Sequence, residues 1–469
     1  MFKKLFFFFA LVILATGIVG YRWVKNLTPE KIFQSSFLQE QVKKQLGDNG
    51  GEIMKIIPKF LGFTKPVTYL MLFENNTELR PGGGFIGSYA VVRVDNGKME
   101  LIKLEGTESL DRNTPKGWKP EPPTQIKRHL GMGKWFFRDA NWSPDFSESA
   151  KKALELYKGE GGVSADQIDA VVGFTPTLLE QLMKVVGSVT VDGIKFTPEN
   201  ITEKLEYEVE YGYSERGLVF TERKKIMQPL FHALLAGLKL DALSNWQNYL
   251  EIGKLMINEK QLMFYAVDKS WQDDLAKQDW TGQVKDASGD YLLWVDANLA
   301  ALKTDWAIKR NLKYTITKDK DGRFVATAEM TYNHTGKFDW RTSRYRAYAR
   351  VFVPTGSELL SYSGAMKWDR AAGKGEVEQG DELGKKWFGA FIAVEPGKIG
   401  KLSFTYLLPK TISDQIQNHL YTIFVQKQLG LTEMGLTIKA DFGNMTADGV
   451  FSGVIKEDKE FGFQLPDNR

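Results

Sequence analysis

The chain has 469 residues and a formal net charge of +4, and this length predicts two or three domains. Hydrophobic residues make up 43% and charged residues 26% of the sequence, which is ordinary for a globular protein and excludes extensive disorder. The weak net charge, without a basic helix, indicates that nucleic acid is not a partner. Because there is no cysteine, disulfides, a catalytic thiol, a lipoprotein anchor and thiolate metal sites are excluded.

Residues 1–24 combine a short basic start with an uninterrupted run of apolar or small residues from Leu5 to Gly20. Tyr21 and Trp23 follow, as in the aromatic belt of a membrane interface. The segment predicts an uncleaved signal anchor that forms one transmembrane helix, with a cleaved signal peptide as the alternative. The lysines that precede the run predict that the bulk of the chain is extracytoplasmic, at the cell membrane.

Residues 25–64 are predicted to form a helical stalk. Thr28 followed by Pro29 is a typical helix start, with threonine as N-cap and proline in the first turn. The apolar face of the segment is thin, which favours a stalk over a helix that lies on the membrane.

Residues 65–300 predict an α/β domain, and residues 301–469 predict an all-β sandwich. In the first part, β-type apolar runs such as Ile168–Phe174 alternate with amphipathic helical patterns. In the second part, short runs of alternating polarity are separated by Gly, Asp and Pro turns, without helical patterns between them. This pattern is typical of an antiparallel, immunoglobulin-like sandwich.

The most distinctive stretch is Pro81 followed by three glycines, between two predicted strands and next to Arg80. Successive backbone amides in such a turn can form an anion-binding nest, so Gly83 and Gly84 with Arg80 predict a phosphate or carboxylate site. A turn that needs glycine for its conformation is the alternative, and composition favours it. The G-x-G-x-x-G spacing does not indicate a dinucleotide site, because a strand and not a helix follows it.

Other polar side chains lie on predicted loops around the α/β domain and could converge at the strand ends. Arginine pairs well with phosphate oxygens, and carboxylates could hold a Mg²⁺ ion that bridges a diphosphate. The alternative is that each arginine is a surface or ion-paired residue. No familiar catalytic signature is present in the sequence. The binding candidates are Asn76, Arg80, Asn141, Asp145, Arg216 and Arg223, and the catalytic candidates are Asp111 and Arg112.

Four stretches resemble a bacterial family catalogued as domain of unknown function 4012. They are FENNTELRPGGGFIGSY, RDANWSPDFSESA, DANLAALKTDW and VFVPTGSELL, and together they span nearly the whole chain after the predicted anchor. The resemblance implies an extracytoplasmic, membrane-anchored protein whose activity the family name leaves open.

The order of elements in the α/β domain is similar to that of the LytR-CpsA-Psr family, extracytoplasmic enzymes that move glycopolymers from a polyprenyl diphosphate carrier to the cell wall. Arg80 stands at that family's first arginine motif, and SLDRN places Asp111 and Arg112 at its Arg-Asp pair in reversed order. ERGLVFTERKK places Arg216 and Arg223 at its last motif. The resemblance implies a mixed sheet with helices and a diphosphate groove. A Pro-Gly-Gly run where that family has an acidic residue leaves metal-dependent transfer open.

The first hypothesis is a membrane-anchored cell-envelope protein that binds a polyprenyl-diphosphate-linked glycopolymer. Whether it also transfers the polymer, as a phosphotransferase with Mg²⁺, is open at this point. Its partners would be the membrane and a lipid-linked glycan or cell-wall polymer. The hypothesis predicts a groove lined by four arginines: Arg80, Arg112, Arg216 and Arg223.

The second hypothesis is a non-catalytic structural or adhesive surface protein that presents the sandwich. It predicts an exposed aromatic patch on the sandwich that includes Trp340, Trp368 or Trp387. Burial of these tryptophans in the sandwich core is the alternative.

Overall fold

The computed structural model describes residues 50–370, 374–418, 420–442 and 445–464. The predicted signal anchor (1–24) and most of the predicted stalk (25–64) lie outside the described residues. Among the residues so described, none of the helices combines the length and the apolarity that a membrane crossing requires. The protein is mixed α/β with several sheets, and its carboxy-terminal part is rich in β-strands, as the sequence predicts.

Ten helices are described. They are α1 (Gly50–Phe60), α2 (Thr107–Arg112), α3 (Thr124–Leu130), α4 (Phe146–Gly159), α5 (Pro176–Val186), α6 (Ile201–Tyr207), α7 (Tyr213–Glu215), α8 (Met227–Asn258), α9 (Lys269–Lys277) and α10 (Lys410–Gln417). The sequence pattern predicts two helices, over residues 221–240 and 243–257, but the structure has one long element, α8, which begins at Met227 and is interrupted by non-helical backbone angles at Asn245.

A five-stranded sheet of order β3-β2-β1-β4-β7 forms the centre of the α/β domain. Its strands are β1 (Val67–Arg80), β2 (Gly83–Asp95), β3 (Lys98–Gly106), β4 (Ala170–Phe174) and β7 (Leu262–Ala266), and a separate hairpin consists of β5 (Val189–Val191) and β6 (Ile194–Phe196). Strand β4 runs parallel to β1, and the other neighbours are antiparallel.

Alternation along β1 gives the sheet two buried faces, because successive side chains of a strand point to opposite sides. Tyr69 packs with Ile57 and Phe60 of α1 on one face, and its hydroxyl donates to the Phe60 carbonyl at 2.7 Å. Leu70 packs with Phe146 of α4 on the other face. The sheet is therefore covered by helices on both sides.

The sequence pattern predicts a strand over Val67–Phe73 followed by a polar loop over residues 74–80, but strand β1 continues through this stretch. Pairing with β2 extends to Arg80, with register shifts between Phe73 and Glu74 and between Asn75 and Leu79. Such irregularities turn side chains away from strict alternation. The prediction of a loop over residues 74–80 is therefore wrong, and its polar residues lie on an irregular strand.

Two six-stranded sheets, of order β12-β15-β10-β9-β17-β18 and β13-β14-β11-β8-β16-β19, share one hydrophobic core. Their strands are β8 (Asp290–Asn298), β9 (Ile308–Lys318), β10 (Phe324–His334), β11 (Tyr345–Pro354), β12 (Glu358–Ser363), β13 (Glu378–Glu382), β14 (Lys385–Val394), β15 (Ile399–Leu407), β16 (Leu420–Gln426), β17 (Met434–Phe442), β18 (Met445–Ile455) and β19 (Lys459–Gln464). The first strand, β8, precedes the predicted boundary at residue 300.

The sandwich is not purely antiparallel. Strand β16 runs parallel to β8, and β17 runs parallel to β9. The expectation of an antiparallel sandwich is therefore wrong for these two pairs, since alternating polarity in a strand does not encode the direction of its neighbour.

The segment after β16 joins the sandwich to the end of β1. Leu429 forms a parallel bridge with Gly82, and the side-chain amide of Gln428 donates to the Arg80 carbonyl at 3.1 Å. The Asn76 amide donates to the Gly430 carbonyl at 3.0 Å. The glycine run thus lies at the contact between the two parts of the chain.

Candidate functional site

A cavity of about 330 Å³ lies between the central sheet and helices α5, α6 and α8. On α8 the lining residues recur every three or four positions, at Met227, Leu230, Leu234 and Leu238, which places them on one face of the helix. Met71 of β1 lines the opposite wall. The cavity volume lies in the lower part of the range of small-molecule sites, roughly 300–1,000 Å³.

Charged side chains are added to this apolar lining by strand β1, by α6 and the turn that follows it, and by the segments before α8 and before β9. They include the cations Arg223, Lys224 and Lys303 and the carboxylates Glu74, Glu78, Glu206 and Glu210. The cavity therefore offers apolar walls together with a charge-rich region, which we call the charged end.

The cations of the charged end are paired with carboxylates. Glu108 of α2 accepts from Arg223 Nε at 3.0 Å and from Lys224 Nζ at 2.7 Å. Glu210 accepts from Arg223 at 3.2 Å and from Lys303 Nζ at 3.1 Å. These ion pairs connect α2, the turn before α8 and the segment before β9, and so fix three cations at the cavity.

Burial opposes the charge of both lysines, but nearby carboxylates offset it to different extents. Burial lowers the pKa of Lys224 to about 8, although Glu108 favours its charged form. Burial also opposes the charge of Lys303, but the nearby carboxylates of Glu78 and Glu210 outweigh it and raise its pKa. Lys224 is therefore the cation whose charge an added anion would stabilise most directly.

Glu74 is a fully buried carboxyl group that lines the cavity. One oxygen accepts from the Asn141 amide at 3.2 Å, and the other has no hydrogen-bond partner among the described residues. Burial raises the pKa of Glu74 well above its ordinary value. Burial therefore favours the neutral form of this carboxyl group at the wall of the cavity.

The Arg80 guanidinium forms hydrogen bonds with other groups of the protein. Its side chain is buried, and it donates from Nε to Asp139 at 3.1 Å and from a terminal nitrogen to the Asn298 carbonyl at 2.7 Å. Glu78 lies 3.5 Å from the other terminal nitrogen. The ion-pair alternative therefore describes this arginine, whose partners lie far away in sequence.

The four predicted arginines do not come together around the cavity. Arg223 lines it, whereas Arg216 pairs with Glu208 at 3.3 Å. Arg112 is exposed, and its guanidinium carbon lies 5.9 Å from the centre of the Phe220 ring. The same ring lies 4.7 Å from the Arg223 guanidinium carbon, so two of the four are near neighbours. The predicted groove lined by all four does not form here.

Asp111 lies in α2 and pairs with Arg138 at 2.5 Å, a partner that the sequence analysis did not single out. Its neighbour Glu160 has its pKa raised to about 8, first by burial and then by the Asp111 charge. Asp111 is thus part of a buried carboxyl pair with one arginine.

The other predicted residues have structural contacts. Asp145 caps α4 by accepting from the Glu148 amide at 3.1 Å, and it also accepts from the Val284 amide at 2.9 Å. Asn141 donates to the Gly84 carbonyl at 2.7 Å. Within the described ranges, no group of three or more His, Asp or Glu side chains could hold a metal ion. Asp111 and Asp145 are engaged elsewhere and do not fit the expected Mg²⁺ site.

Glycine is required at Gly83 for two physical reasons. Its φ of +141° is rarely adopted by other residues, and an added Cβ would lie 2.2 Å from a carboxyl oxygen of Glu74. At Gly84 an added Cβ would lie 2.4 Å from the Asn75 backbone. The conformational explanation of the glycine run therefore holds at these two positions.

Residues 64–210 match the model of a protein family of unknown function, DUF4012. This match supports the resemblance of the sequence to the DUF4012 family. The DUF4012 segment contains Glu74, Glu206 and Glu210, and the cations Arg223, Lys224 and Lys303 follow it in the chain. The charged end thus combines carboxylates of the DUF4012 segment with cations from outside it.

No curated protein matches the chain. Among solved structures, the transcriptional regulator yvhJ from Bacillus subtilis is 14% identical, with 46% of this chain and 76% of that chain covered and a TM-score of 0.23. An M1 zinc metallopeptidase from Deinococcus radiodurans is 11% identical, with 36% of this chain and 40% of that chain covered and a TM-score of 0.17. At such scores neither likeness carries an argument.

Proposed function

We propose that the protein is a membrane-anchored cell-envelope protein that binds a polyprenyl-diphosphate-linked glycopolymer. The isoprenoid chain would occupy the apolar part of the cavity, and the diphosphate would lie at the charged end. The observation that carries the proposal is one cavity of about 330 Å³ that combines an apolar helix face with Arg223, Lys224 and Lys303. The resemblance to the LytR-CpsA-Psr family and the predicted anchor support the same ligand.

The cations of the charged end are already ion-paired, so a diphosphate has to compete with their carboxylate partners. A diphosphate would compete with Glu108 and Glu210 for Arg223 and Lys224, which it can do because phosphate oxygens accept strong charge-assisted hydrogen bonds. An anion next to Lys224 favours its charged form and raises its pKa from about 8. Binding therefore couples to proton uptake above neutral pH.

The proposal covers binding. Asp111 and Arg112, the residues predicted to be catalytic, are not among the lining residues of the cavity, so we assign no transfer step to them. The alternative, a structural or adhesive surface protein, is favoured by one observation: Trp306 is 48% and Trp368 is 40% exposed on the sandwich side.

The test uses the full chain in detergent and farnesyl diphosphate as the probe, with farnesol and inorganic diphosphate as partial ligands. We expect farnesyl diphosphate to bind much more tightly than either partial ligand. Leu179→Trp and Leu205→Trp fill the cavity from two walls and should weaken binding at least tenfold. Leu255→Trp, on an exposed part of α8 (40% exposed), is the matched control.

A second pair of variants tests the charged end. Lys224→Met removes a charge-assisted hydrogen bond, which is worth about 1.5–3 kcal/mol, so affinity should fall roughly 10- to 100-fold. Lys225→Met changes an exposed neighbour (64% exposed side chain) and should leave affinity unchanged. Equal binding of farnesyl diphosphate and inorganic diphosphate, or full affinity in the filled variants, would rule the proposal out.

A further inference from the structure

An exposed aromatic surface borders the charged end of the cavity. We call its four residues, Tyr207, Tyr211, Trp306 and Trp340, the aromatic rim. Tyr211 is 45% and Trp306 is 48% exposed. The Trp340 ring centre lies 5.4 Å from that of Tyr207 and 5.8 Å from that of Tyr211. The rim takes two residues from the α6 region and two from the sandwich, and it presents the exposed rings of Tyr211 and Trp306 beside two half-buried rings.

The rim lies next to the lining of the cavity. Arg341 connects the two, because its Nε donates to Glu206 at 2.7 Å and its guanidinium carbon lies 4.9 Å from the Trp306 ring centre. Glu206 lines the cavity and directly precedes Tyr207 in α6. A ligand whose charged group sits at the charged end therefore has the rim as a neighbouring surface.

The loop that carries Trp340 is held in place by its own hydrogen bonds. The Asp339 carboxylate accepts from the Arg341 and Thr342 amides at 2.8 and 2.7 Å, and the Lys303 amide donates to the Arg341 carbonyl at 3.0 Å. Lys303 itself lines the cavity. A fixed ring platform binds with little loss of conformational entropy.

The charges around the rim select the class of ligand. Glu203 has a side chain 64% exposed and lies 3.7 Å from Arg341, Glu215 accepts from the Tyr207 hydroxyl at 2.5 Å, and Asp339 is exposed. Exposed carboxylates repel an anionic lipid surface or a nucleic acid. They accept hydrogen bonds from hydroxyl groups, and aromatic faces attract the weakly positive C–H groups of a pyranose ring.

We infer that the aromatic rim binds pyranose rings of an uncharged glycan. The inference rests on the proposed function for its lipid part, because the glycan of a lipid-linked polymer would leave the charged end across the rim. Trp306 and Tyr211 provide stacking faces, and the surrounding carboxylates and Arg341 bond the ring hydroxyls. The site takes residues from the α/β domain and from the sandwich, so the contact between these two domains takes part in glycan recognition.

The experiment measures saturation-transfer NMR of the full chain with two soluble probes, cellotetraose and tetra-N-acetylchitotetraose. We expect transfer to the ring C–H protons of at least one probe. Trp306→Ala and Tyr211→Ala should weaken binding from several-fold to about tenfold, as expected for a lost aromatic contact. Trp368→Ala, with a side chain of similar exposure (40%), is the matched control, and thermal unfolding confirms that all variants are folded.

The inference is overturned if neither saccharide receives saturation transfer, or if Trp368→Ala weakens binding as much as Trp306→Ala. The two binding measurements distinguish a failure of the glycan site from a failure of the proposed function. Leu179→Trp should weaken farnesyl diphosphate binding at least tenfold and leave saccharide binding intact, whereas Trp306→Ala should weaken saccharide binding several-fold to about tenfold and leave farnesyl diphosphate binding intact. Loss of both ligands in both variants would also contradict a separate glycan site.

Discussion

The sandwich and the α/β domain use their interiors differently. In the sandwich core, the hydroxyls of Tyr314 and Tyr421 both donate to the buried Asp290 at 2.6 Å, and Tyr406 donates to Tyr314 at 3.2 Å. In the α/β domain, a space of about 330 Å³ stays open beside the carboxyl group of Glu74. The filled interior stabilises the fold, and the open one leaves room for a ligand.

Buried charged side chains also differ between the sandwich and the α/β domain. Arg310 of the sandwich donates to Asp296 at 2.7 Å and to Tyr345 at 2.7 Å, and it also pairs with Asp305. All of these partners belong to the sandwich. Lys224 is also largely buried, but it lines a cavity. Substitutions should therefore cost stability in the first region and ligand affinity in the second.

The largest effect is expected for Arg310→Leu. The change leaves Asp296 and Asp305 buried without their cation, which costs about 3–5 kcal/mol. Urea unfolding of the full chain measures the free energy of unfolding. Arg323→Leu, whose side chain is 51% exposed, is the matched control and should change stability by about 1 kcal/mol or less. A similar, small effect in both variants would contradict the division between the two regions.

Gly83→Ala should have the next largest effect. The new Cβ would occupy a backbone angle of +141° and lie 2.2 Å from Glu74, so we expect a loss of about 1–3 kcal/mol. Gly117→Ala is the control, because an added Cβ there meets no atom within 4 Å. If instead Gly83→Ala leaves the unfolding midpoint unchanged, the glycine run has a purpose other than close packing.

Glu160→Gln should change how stability depends on pH. The folded-state pKa of Glu160 is raised to about 8, so its contribution is fully present below the ordinary glutamate pKa and is lost as the pH rises through about 8. Glutamine does not ionise. The wild type should therefore lose melting temperature relative to Glu160→Gln between pH 5 and pH 9, and parallel curves in calorimetry would refute the raised pKa.

The smallest effect on stability is expected for Leu179→Trp. The larger ring enters open space, so the free energy of unfolding should change by less than about 1 kcal/mol. The same change at Leu402, fully buried in the sandwich core, should cost about 1–3 kcal/mol because it overpacks a filled interior. Equal losses at both positions would show that the cavity is not open to a side chain.

Local sequence was sufficient for several elements. The sequence pattern predicts a helix to about Lys158 with Ser147 as its cap; the helix is α4, but Asp145 is the cap and Ser147 lies inside the helix. The predicted helix start at Thr175-Pro176 is confirmed, since α5 begins at Pro176. Arg223 was among the candidates because ERGLVFTERKK resembles the last motif of the LytR-CpsA-Psr family. Apolar spacing and helix-start residues act over a few positions, so a sequence pattern can predict the helices they form without knowledge of the fold.

Such short-range patterns could not predict most of the candidate site. Glu74, Lys224 and Lys303 come from three distant segments, and nothing in their neighbours shows that they meet. Arg80 resembles an anion-binding residue in sequence, but its partners Asp139 and Asn298 are 59 and 218 positions away. Whether a cation is free or already paired depends on those distant partners.

The sequence by itself determined the alternation of strands and helices and the need for glycine beside Arg80, since these depend on backbone preference and short-range periodicity. Only the tertiary structure decided which charges neutralise one another, which strands run parallel and where space stays open. Those outcomes arise when side chains from remote segments compete for the same volume and the same hydrogen bonds.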